Sequence, residues 1–258
     1  MDKMVYSFNE GSKEMSSLLG NKGANLAEMI RIGLPVPFGF TITTEVCRKY
    51  YDEGKEAASE IEEAVFDKLA DLEKVAGKKF GDPSDPLLLS VRSGAQDIMP
   101  GIMPTILDLG LNDETVLGLA RTYGSEKLAY DCYRRFIRTY SMAVLDIPGK
   151  VFTAAMDQIL QIRGTVYVSD LDSEGMKAVV LAYKKIVKEE TGDEFPQNTE
   201  EQLLTSIKGI FDSWYSDRAV VYRRMNNIVD MGTAVSIQCI VYGNMGDDSG
   251  TGAVFTRS

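Results

Sequence analysis

The 258-residue chain contains no histidine. That absence excludes a Ser-His-Asp triad, a Cys-His dyad and any metal site built on imidazole, so chemistry that needs the ring must be supplied from elsewhere. Cysteine is scarce as well: Cys47, Cys132 and Cys239 are odd in number, widely separated and form no Cys-x-x-Cys pair. Such usage fits small buried hydrophobes in a reducing compartment and offers no disulfide framework. No apolar run approaches the ~20 residues needed to span a bilayer, and the start Met1-Asp2-Lys3-Met4-Val5-Tyr6 lacks an apolar signal segment. A cytoplasmic location is expected, with no membrane partner. Positive charge is in short supply too, 28 Lys and Arg against 38 Asp and Glu. The resulting net charge of -10 repels nucleic-acid phosphates, so no nucleic-acid partner is expected.

What is present suits a folded domain. Hydrophobic residues make up 44% and charged residues 26%, far from the composition of a disordered chain. A chain of this length can bury about 70 to 75% of its unfolded surface. Leu26, Met29 and Ile30 recur at helical spacing after Gly20-Asn21-Lys22-Gly23-Ala24-Asn25, which puts Lys22 at or just before a helix amino terminus. Leu34 to Ile42 reads as a strand entered through Pro35 and Pro37, with Thr43 or Thr44 capping the next helix. Ile61, Val65, Leu69, Leu72 and Ala76 mark one face of a longer helix that Gly77 ends. Leu87 to Val91 is a short apolar run, read as a buried strand ending at Arg92.

From about residue 112 to 230 the patterns are helical. Ala129, Tyr133, Phe136, Ile137, Tyr140 and Val144 share one face, as do Val179, Val180, Tyr183, Ile186 and Val187. Thr199-Glu200-Glu201-Gln202 has the form of a capping box ahead of Leu203, Ile207, Ile210, Phe211 and Trp214. Alternation returns over Thr233 to Tyr242, and a further strand is expected to start at Ala253-Val254-Phe255 after the glycine-rich Gly243 to Gly252. No internal repeat is present.

Several segments could carry chemistry. Gly20-Asn21-Lys22-Gly23 has the logic of a phosphate cradle, with small residues, a helix dipole and an ammonium, although it lacks the Walker A spacing and reads equally as a turn. Arg92 precedes Ser93-Gly94-Ala95 at a strand end and suits either a ligand anion or a structural carboxylate. Met99 to Thr105 is a shaped loop or methionine core filling, and Gly243 to Gly252 a phosphate-covering hairpin or a plain one. Asp247 and Asp248 would repel phosphate there unless turned outward or holding a cation. Arg223-Arg224 on a helix reads as a solvated face or as a partner of acidic neighbours.

Taken in order, these segments resemble the amino-terminal nucleotide-binding domain of the pyruvate, phosphate dikinase family. The resemblance rests on Leu18-Leu19-Gly20-Asn21-Lys22-Gly23-Ala24-Asn25, Gly33-Leu34-Pro35-Val36-Pro37, Val91-Arg92-Ser93-Gly94-Ala95, Leu109-Gly110-Leu111-Asn112-Asp113, Tyr133-Arg134-Arg135-Phe136, Val221-Tyr222-Arg223-Arg224 and Ser249-Gly250-Thr251-Gly252. It implies an α+β, ATP-grasp-like fold with a helical insert and a truncated second lobe. The implied divisions are a first lobe over 1-111, the insert over 112-200, a returning helix and strand over 201-242, and the start of the second lobe over 243-258. It also implies the family reaction, in which ATP, pyruvate and phosphate give phosphoenolpyruvate, AMP and pyrophosphate through a phosphohistidine on a separate domain.

Carried over by position, Lys22 and Arg92 are the expected catalytic cations on the triphosphate, and Thr105 lies in the loop beside it. Gln238, Ile240 and Val241 are expected beside adenine, and Ser249, Gly250, Thr251 and Gly252 as a covering loop. ATP and Mg²⁺ are the implied cofactors, the metal ligands being expected in a missing carboxy-terminal part. The phosphohistidine domain and the pyruvate-binding barrel are implied partners outside this chain, and the full-length family implies a homodimer. The chain is therefore expected to be an amino-terminal portion of a dikinase, excised or naturally short. Alternatives are a noncatalytic nucleotide- or partner-binding module and a phosphoenolpyruvate synthase-like phosphotransferase. Departures from the family pattern fall at Asp97-Ile98 and Pro104, where Ala-Ser and Asp are common, and at Ile228 to Met231.

Overall fold

A computed structural model describes residues 3–52, 58–97, 99, 101–245 and 248–254, with backbone alone for 58–60. Expectations for Ile98, Pro100, Gly246, Asp247 and Phe255 to Arg257 lie outside the described residues. The architecture is α+β. Strands β1 (Val5–Ser7), β2 (Gly39–Ile42), β5 (Leu89–Gly94), β6 (Thr105–Leu109) and β7 (Ala234–Cys239) form an antiparallel sheet in the order β1-β2-β7-β5-β6. Two-residue strands β3 (Lys79–Phe80) and β4 (Pro86–Leu87) pair in parallel beside it. β7, far along the chain, is the central strand, so the sheet is complete only after the helices between β6 and β7 have been made.

Those helices are α4 (Thr115–Tyr123), α5 (Glu126–Val144), α6 (Gly149–Arg163), α7 (Ser173–Thr191), α8 (Thr199–Trp214) and α9 (Asp217–Met225), following α1 (Ser16–Arg31), α2 (Thr44–Asp52) and α3 (Ala58–Ala76). Among the described residues no helix is long and apolar enough to cross a membrane. The predicted apolar stripes are inside: Ile61, Val65, Leu69 and Leu72 of α3, Phe136, Ile137 and Tyr140 of α5, and Leu203, Ile207, Ile210 and Phe211 of α8 share one core with Phe40, Ile42, Val91, Ile106, Val235 and Ile237 of the sheet. Each such side chain withdrawn from water contributes about 1.5 to 3 kcal/mol. Phe195 meets Phe136, Tyr140 and Tyr133 edge-on at 5.4, 5.5 and 6.2 Å, a geometry that aromatic quadrupoles favour.

Several local readings are corrected. β5 runs through Arg92 to Gly94 rather than ending at Arg92, because β7 offers partners as far as Ala234. The strand read from Leu34 is confined to Gly39–Ile42. Asn198, not Thr199, caps α8, its Oδ1 accepting from the amides of Glu200 and Glu201, and Gln202 is buried and donates to the Leu111 and Pro196 carbonyls instead of closing a capping box. Neither threonine hydroxyl caps α2: Thr43 Oγ1 has no hydrogen-bond partner among the described residues and Thr44 Oγ1 donates to the Ser17 carbonyl. Ala253 and Val254 are not in a strand. Gly77 does end α3, at φ 67°.

Register divides the sheet into two unlike faces, because side chains alternate along a strand and paired residues point the same way. One face carries the apolar rows Phe40–Ile237–Val91–Ile106 and Val5–Ile42–Val235. The other carries the continuous polar row Tyr6–Thr41–Ser236–Arg92–Thr105 and beside it Gly39–Gln238–Ser90. α1 lies over the polar face, where a Cβ on Gly23 would stand 2.7 Å from Thr41 Oγ1.

Candidate functional site

The polar row is where α1 and the sheet meet, and Gly20 sets how closely. Its φ of 66° and ψ of 166° break α1 into two helical segments, and a Cβ there would fall 1.6 Å from the Gly94 carbonyl oxygen. Only glycine tolerates both the dihedral and the approach. The second segment is tied down by the Asn21 amide, which donates to the Ala95 carbonyl at 3.0 Å. Lys22 therefore sits in the first turn of a helix whose start is fixed against the end of β5. Lys22, Asn25, Leu26 and Met29 follow the i, i+3, i+4, i+7 spacing of a single helix face, and all four line a cavity of about 470 Å³. Ser93, Gly94, Ala95, Asp97 and Thr105 form another wall, with Met99, Gly101 and Met103 beside them.

Two cations meet here. Lys22 Nζ donates to the Ser93 carbonyl at 2.9 Å, and Arg92 precedes that residue in β5, paired in register with Thr105. Burial, and then the charge of Arg92, lowers the Lys22 ammonium to about 8. Burial also lowers Arg92. Arg92 Nε is shut off from solvent and has no hydrogen-bond partner among the described residues. No carboxylate figures among the causes of either shift, and neither cation forms an ion pair among the described residues. In a chain with ten more acids than bases, two neighbouring half-buried cations without counterions among the described residues are an arrangement that an arriving anion would stabilise.

The other expected site residues divide. Lys22 and Thr105 line the cavity and Arg92 adjoins it. Gln238 shares the polar face but is buried, its side-chain Nε2 donating to the Pro37 carbonyl at 3.1 Å, while its main-chain carbonyl accepts from Ser90 Oγ. Its side chain is thus engaged within the protein. Ile240 and Val241 line a separate, mostly apolar cavity of about 280 Å³ with Pro37, Phe38, Leu88 and Tyr242. Ser249, Gly250, Thr251 and Gly252 are not among the residues lining the Lys22 cavity. Their segment folds back on Gly243, where an added Cβ would meet Thr251 Oγ1 and the Gly250 carbonyl. Asn25, Leu26 and Met29 were not among the expected site residues, although the helical spacing from Lys22 to Met29 was the signal that could have found them. Among the described residues no group of three acids, cysteines or histidines is placed to hold a metal ion.

A second perturbed group lies outside the cavity. Asp108 occupies the place where β5 and β6 slip register, at φ 59°. It is buried, accepts from Tyr242 Oη at 3.1 Å, and burial raises its carboxyl to about 6.

The family model for the AMP/ATP-binding domain of pyruvate phosphate dikinase matches residues 16–78 and 57–258. Pyruvate, phosphate dikinase of Clostridium symbiosum is 49% identical over 260 residues, covering 100% of this chain and 30% of that protein. The chloroplastic enzymes of Mesembryanthemum crystallinum and Arabidopsis thaliana are 48% and 47% identical over 261 residues, each covering 99% of this chain and 27% of the relative. The chain thus spans under a third of the length of the curated relatives it matches.

Proposed function

We propose, since the chain belongs to the pyruvate phosphate dikinase AMP/ATP-binding domain family, that the cavity between α1 and the polar face of the sheet receives the phosphates of ATP. The observation that carries this reading is the pairing of Lys22 and Arg92, close, half-buried and without counterions among the described residues. Arg92 offers a fixed planar fork and Lys22 a compact ammonium, the two donors suited to spread phosphoryl charge. Because both are held by the fold before the ligand arrives, little reorganisation accompanies binding, which is the condition for strong electrostatic stabilisation of a transferring phosphoryl group. Thr105, beside Arg92 in register, adds a hydroxyl on the same wall. The adenine is assigned to the apolar slot at the end of β7 lined by Ile240 and Val241, where neighbouring Pro37 and Phe38 supply apolar contact.

We read the α+β unit as the first lobe of an ATP-grasp-like fold, with the helices between 112 and 200 as an insert. The reaction proposed for the whole protein moves the pyrophosphoryl group of ATP to a histidine with release of AMP, phosphate then takes the outer phosphoryl group away as pyrophosphate, and the phosphohistidine that is left passes its phosphoryl group to pyruvate, giving phosphoenolpyruvate. With no histidine in these 258 residues, the acceptor belongs to another segment or chain. The described residues do not assemble a ligand set for Mg²⁺, so no step is drawn through the metal.

Calorimetric titration with ATP and AMP, on the unsubstituted chain and on Arg92→Ala and Lys22→Ala, tests the reading. ATP binding weakened at least tenfold in both variants is the expected result. Binding that survives both substitutions unchanged, or no binding at all, rejects the site. Binding without phosphoryl transfer to a supplied dikinase histidine domain would instead favour a noncatalytic module.

A further inference from the structure

The Asp108 carboxyl stands where folding opposes it. It is 3% exposed, at φ 59°, in the stretch of β6 where pairing with β5 slips. Burial penalises the charge, and the dihedral is unfavourable for a residue with a Cβ. Neither the Lys22 cavity nor the Ile240 cavity is lined by Asp108, so direct contact with a ligand there does not account for it. What it holds is Tyr242, whose Oη donates to Asp108 Oδ1 at 3.1 Å. The Cys132 thiol and Arg135 of α5 favour the ionised carboxyl, while burial and Asp131 oppose it. Raised to about 6, the group is still a carboxylate at neutral pH and can only accept.

Tyr242 lies where the chain leaves β7. Because β5 separates β7 from β6 in the sheet, the bond from Tyr242 to Asp108 reaches across the end of β5. Two residues earlier, the Ile240 amide donates to the Leu88 carbonyl, just ahead of β5, at 3.0 Å. The Tyr242 ring also meets Tyr123 of α4 edge-on at 5.3 Å and 75°. Ile240 and Val241, the residues assigned to adenine, are therefore strung between two fixed points. One is a main-chain bond, and the other is the Tyr242 hydroxyl on Asp108. Val241 is exposed and lies outside any strand, so its place depends on both ties.

We propose that Asp108 is a positioning residue for the nucleobase: through Tyr242 it fixes the exit of β7, so that Ile240 and Val241 stand as one wall of the adenine slot before the nucleotide arrives. The inference rests on the adenine assignment and adds to it a residue that does not itself line the slot. A wall held in advance raises affinity for the base and leaves affinity for phosphates in the separate Lys22 cavity unchanged.

The test is the ratio of ATP affinity to methyl triphosphate affinity, from calorimetric titration of the 258-residue chain near neutral pH. The two ligands share the esterified triphosphate and differ in the nucleoside. Tyr242→Phe, which keeps the ring on Tyr123 and loses the donor, and Asp108→Ala, which loses the acceptor, should each lower the ratio about tenfold, the scale of one charged hydrogen bond. The two substitutions together should lower it no further than either alone, since both remove the same bond. Asp108→Asn, whose carboxamide oxygen still accepts from the phenol, should hold the ratio within about twofold of the unsubstituted chain. Methyl triphosphate affinity should also stay within about twofold throughout. An unchanged ratio in Tyr242→Phe, a methyl triphosphate loss matching the ATP loss, additive losses, or a loss in Asp108→Asn equal to that in Tyr242→Phe overturns the positioning role. Should Asp108→Ala not fold, Tyr242→Phe and Asp108→Asn decide it. If the unsubstituted chain binds ATP no more tightly than methyl triphosphate, the adenine assignment falls and the inference with it. Absence of binding by both ligands overturns the nucleotide reading as a whole.

Discussion

The two faces of the five-stranded sheet are made from alternate residues of the same strands, yet they are used in opposite ways. On one, Phe40, Ile42, Val91, Ile106, Val235 and Ile237 are sealed beneath α3, α5 and α8. On the other, Thr41, Ser236, Arg92 and Thr105 lie in a row under or beside α1, and Arg92 of the row meets Lys22 of α1, two cations with no counterion among the described residues. The first face gains stability from every methylene it hides. The second holds charge in a partly dry place, which opposes folding and becomes favourable when an anion arrives. Concentrating apolar burial on one face lets the other remain electrostatically unsatisfied without unfolding the domain.

Substitutions on adjacent residues of β7 test this contrast most severely. Ile237→Ala, in the centre of the apolar face, is expected to cost about 3 to 4 kcal/mol in urea unfolding. Ser236→Ala, its neighbour on the polar face within 3.3 Å of Thr41 Oγ1, should cost about 1 kcal/mol. Similar costs for the two would erase the distinction. Next in size, Arg92→Ala should weaken ATP binding by about 100-fold, equivalent to about 2.7 kcal/mol, while leaving the unfolding midpoint nearly unchanged.

Asp108 sharpens the comparison by standing outside the alternation. Its carboxyl is raised from the ordinary 3.8 to about 6, so the folded state holds a proton between those values that the unfolded chain has released. The penalty on the ionised carboxylate is therefore full above pH 6 and disappears below about pH 4. Asp108→Asn, which tolerates a positive φ equally well, should stabilise the fold by about 2 kcal/mol at pH 8. The gain should shrink to nothing by pH 4 in paired thermal melts.

Lys22 is depressed rather than raised, from 10.5 to about 8, so its ammonium is disfavoured by the fold. Stability from this group rises as pH climbs from about 8 toward 10.5, whereas affinity for an anion falls over the same range because the charge is lost. ATP titrations from pH 6.5 to 9.5 should show that decline, and Lys22→Arg should flatten it. Lys22→Met should lose ATP binding yet change stability by no more than about 1 kcal/mol, in the stabilising direction at pH 7. A large loss of stability would mark Lys22 as a structural residue.

Much of this architecture was legible in residue order. The stripes of α3, α5 and α8 are periodic and long, and Lys22 and Arg92 stood out because glycines flank them on the helix side and the strand side respectively. The extent of β5 was missed because it depends on β7, more than a hundred residues away, which supplies its partners to Gly94. The capping of α8 was misassigned because Asn198 and Thr199 are both good caps, and Gln202, apt for a capping box, is spent on two carbonyls across the core. Asp108 gave no signal, since a register slip has no periodicity of its own. The covering loop expected at Ser249 to Gly252 came from the family resemblance, which does not say against what a segment folds; here the segment lies against Gly243.

Local order alone determined which residues could turn inward, since helix and strand periods are short-range properties of the backbone, and composition determined that these 258 residues supply no imidazole. Which polar groups would face one another was left to the tertiary structure. Lys22 and Arg92 are seventy residues apart along the chain and become neighbours only because a bare Gly20 lets α1 settle on the carbonyl of Gly94. Desolvation and mutual repulsion, which give the pair its affinity for an anion, exist only once that contact has formed.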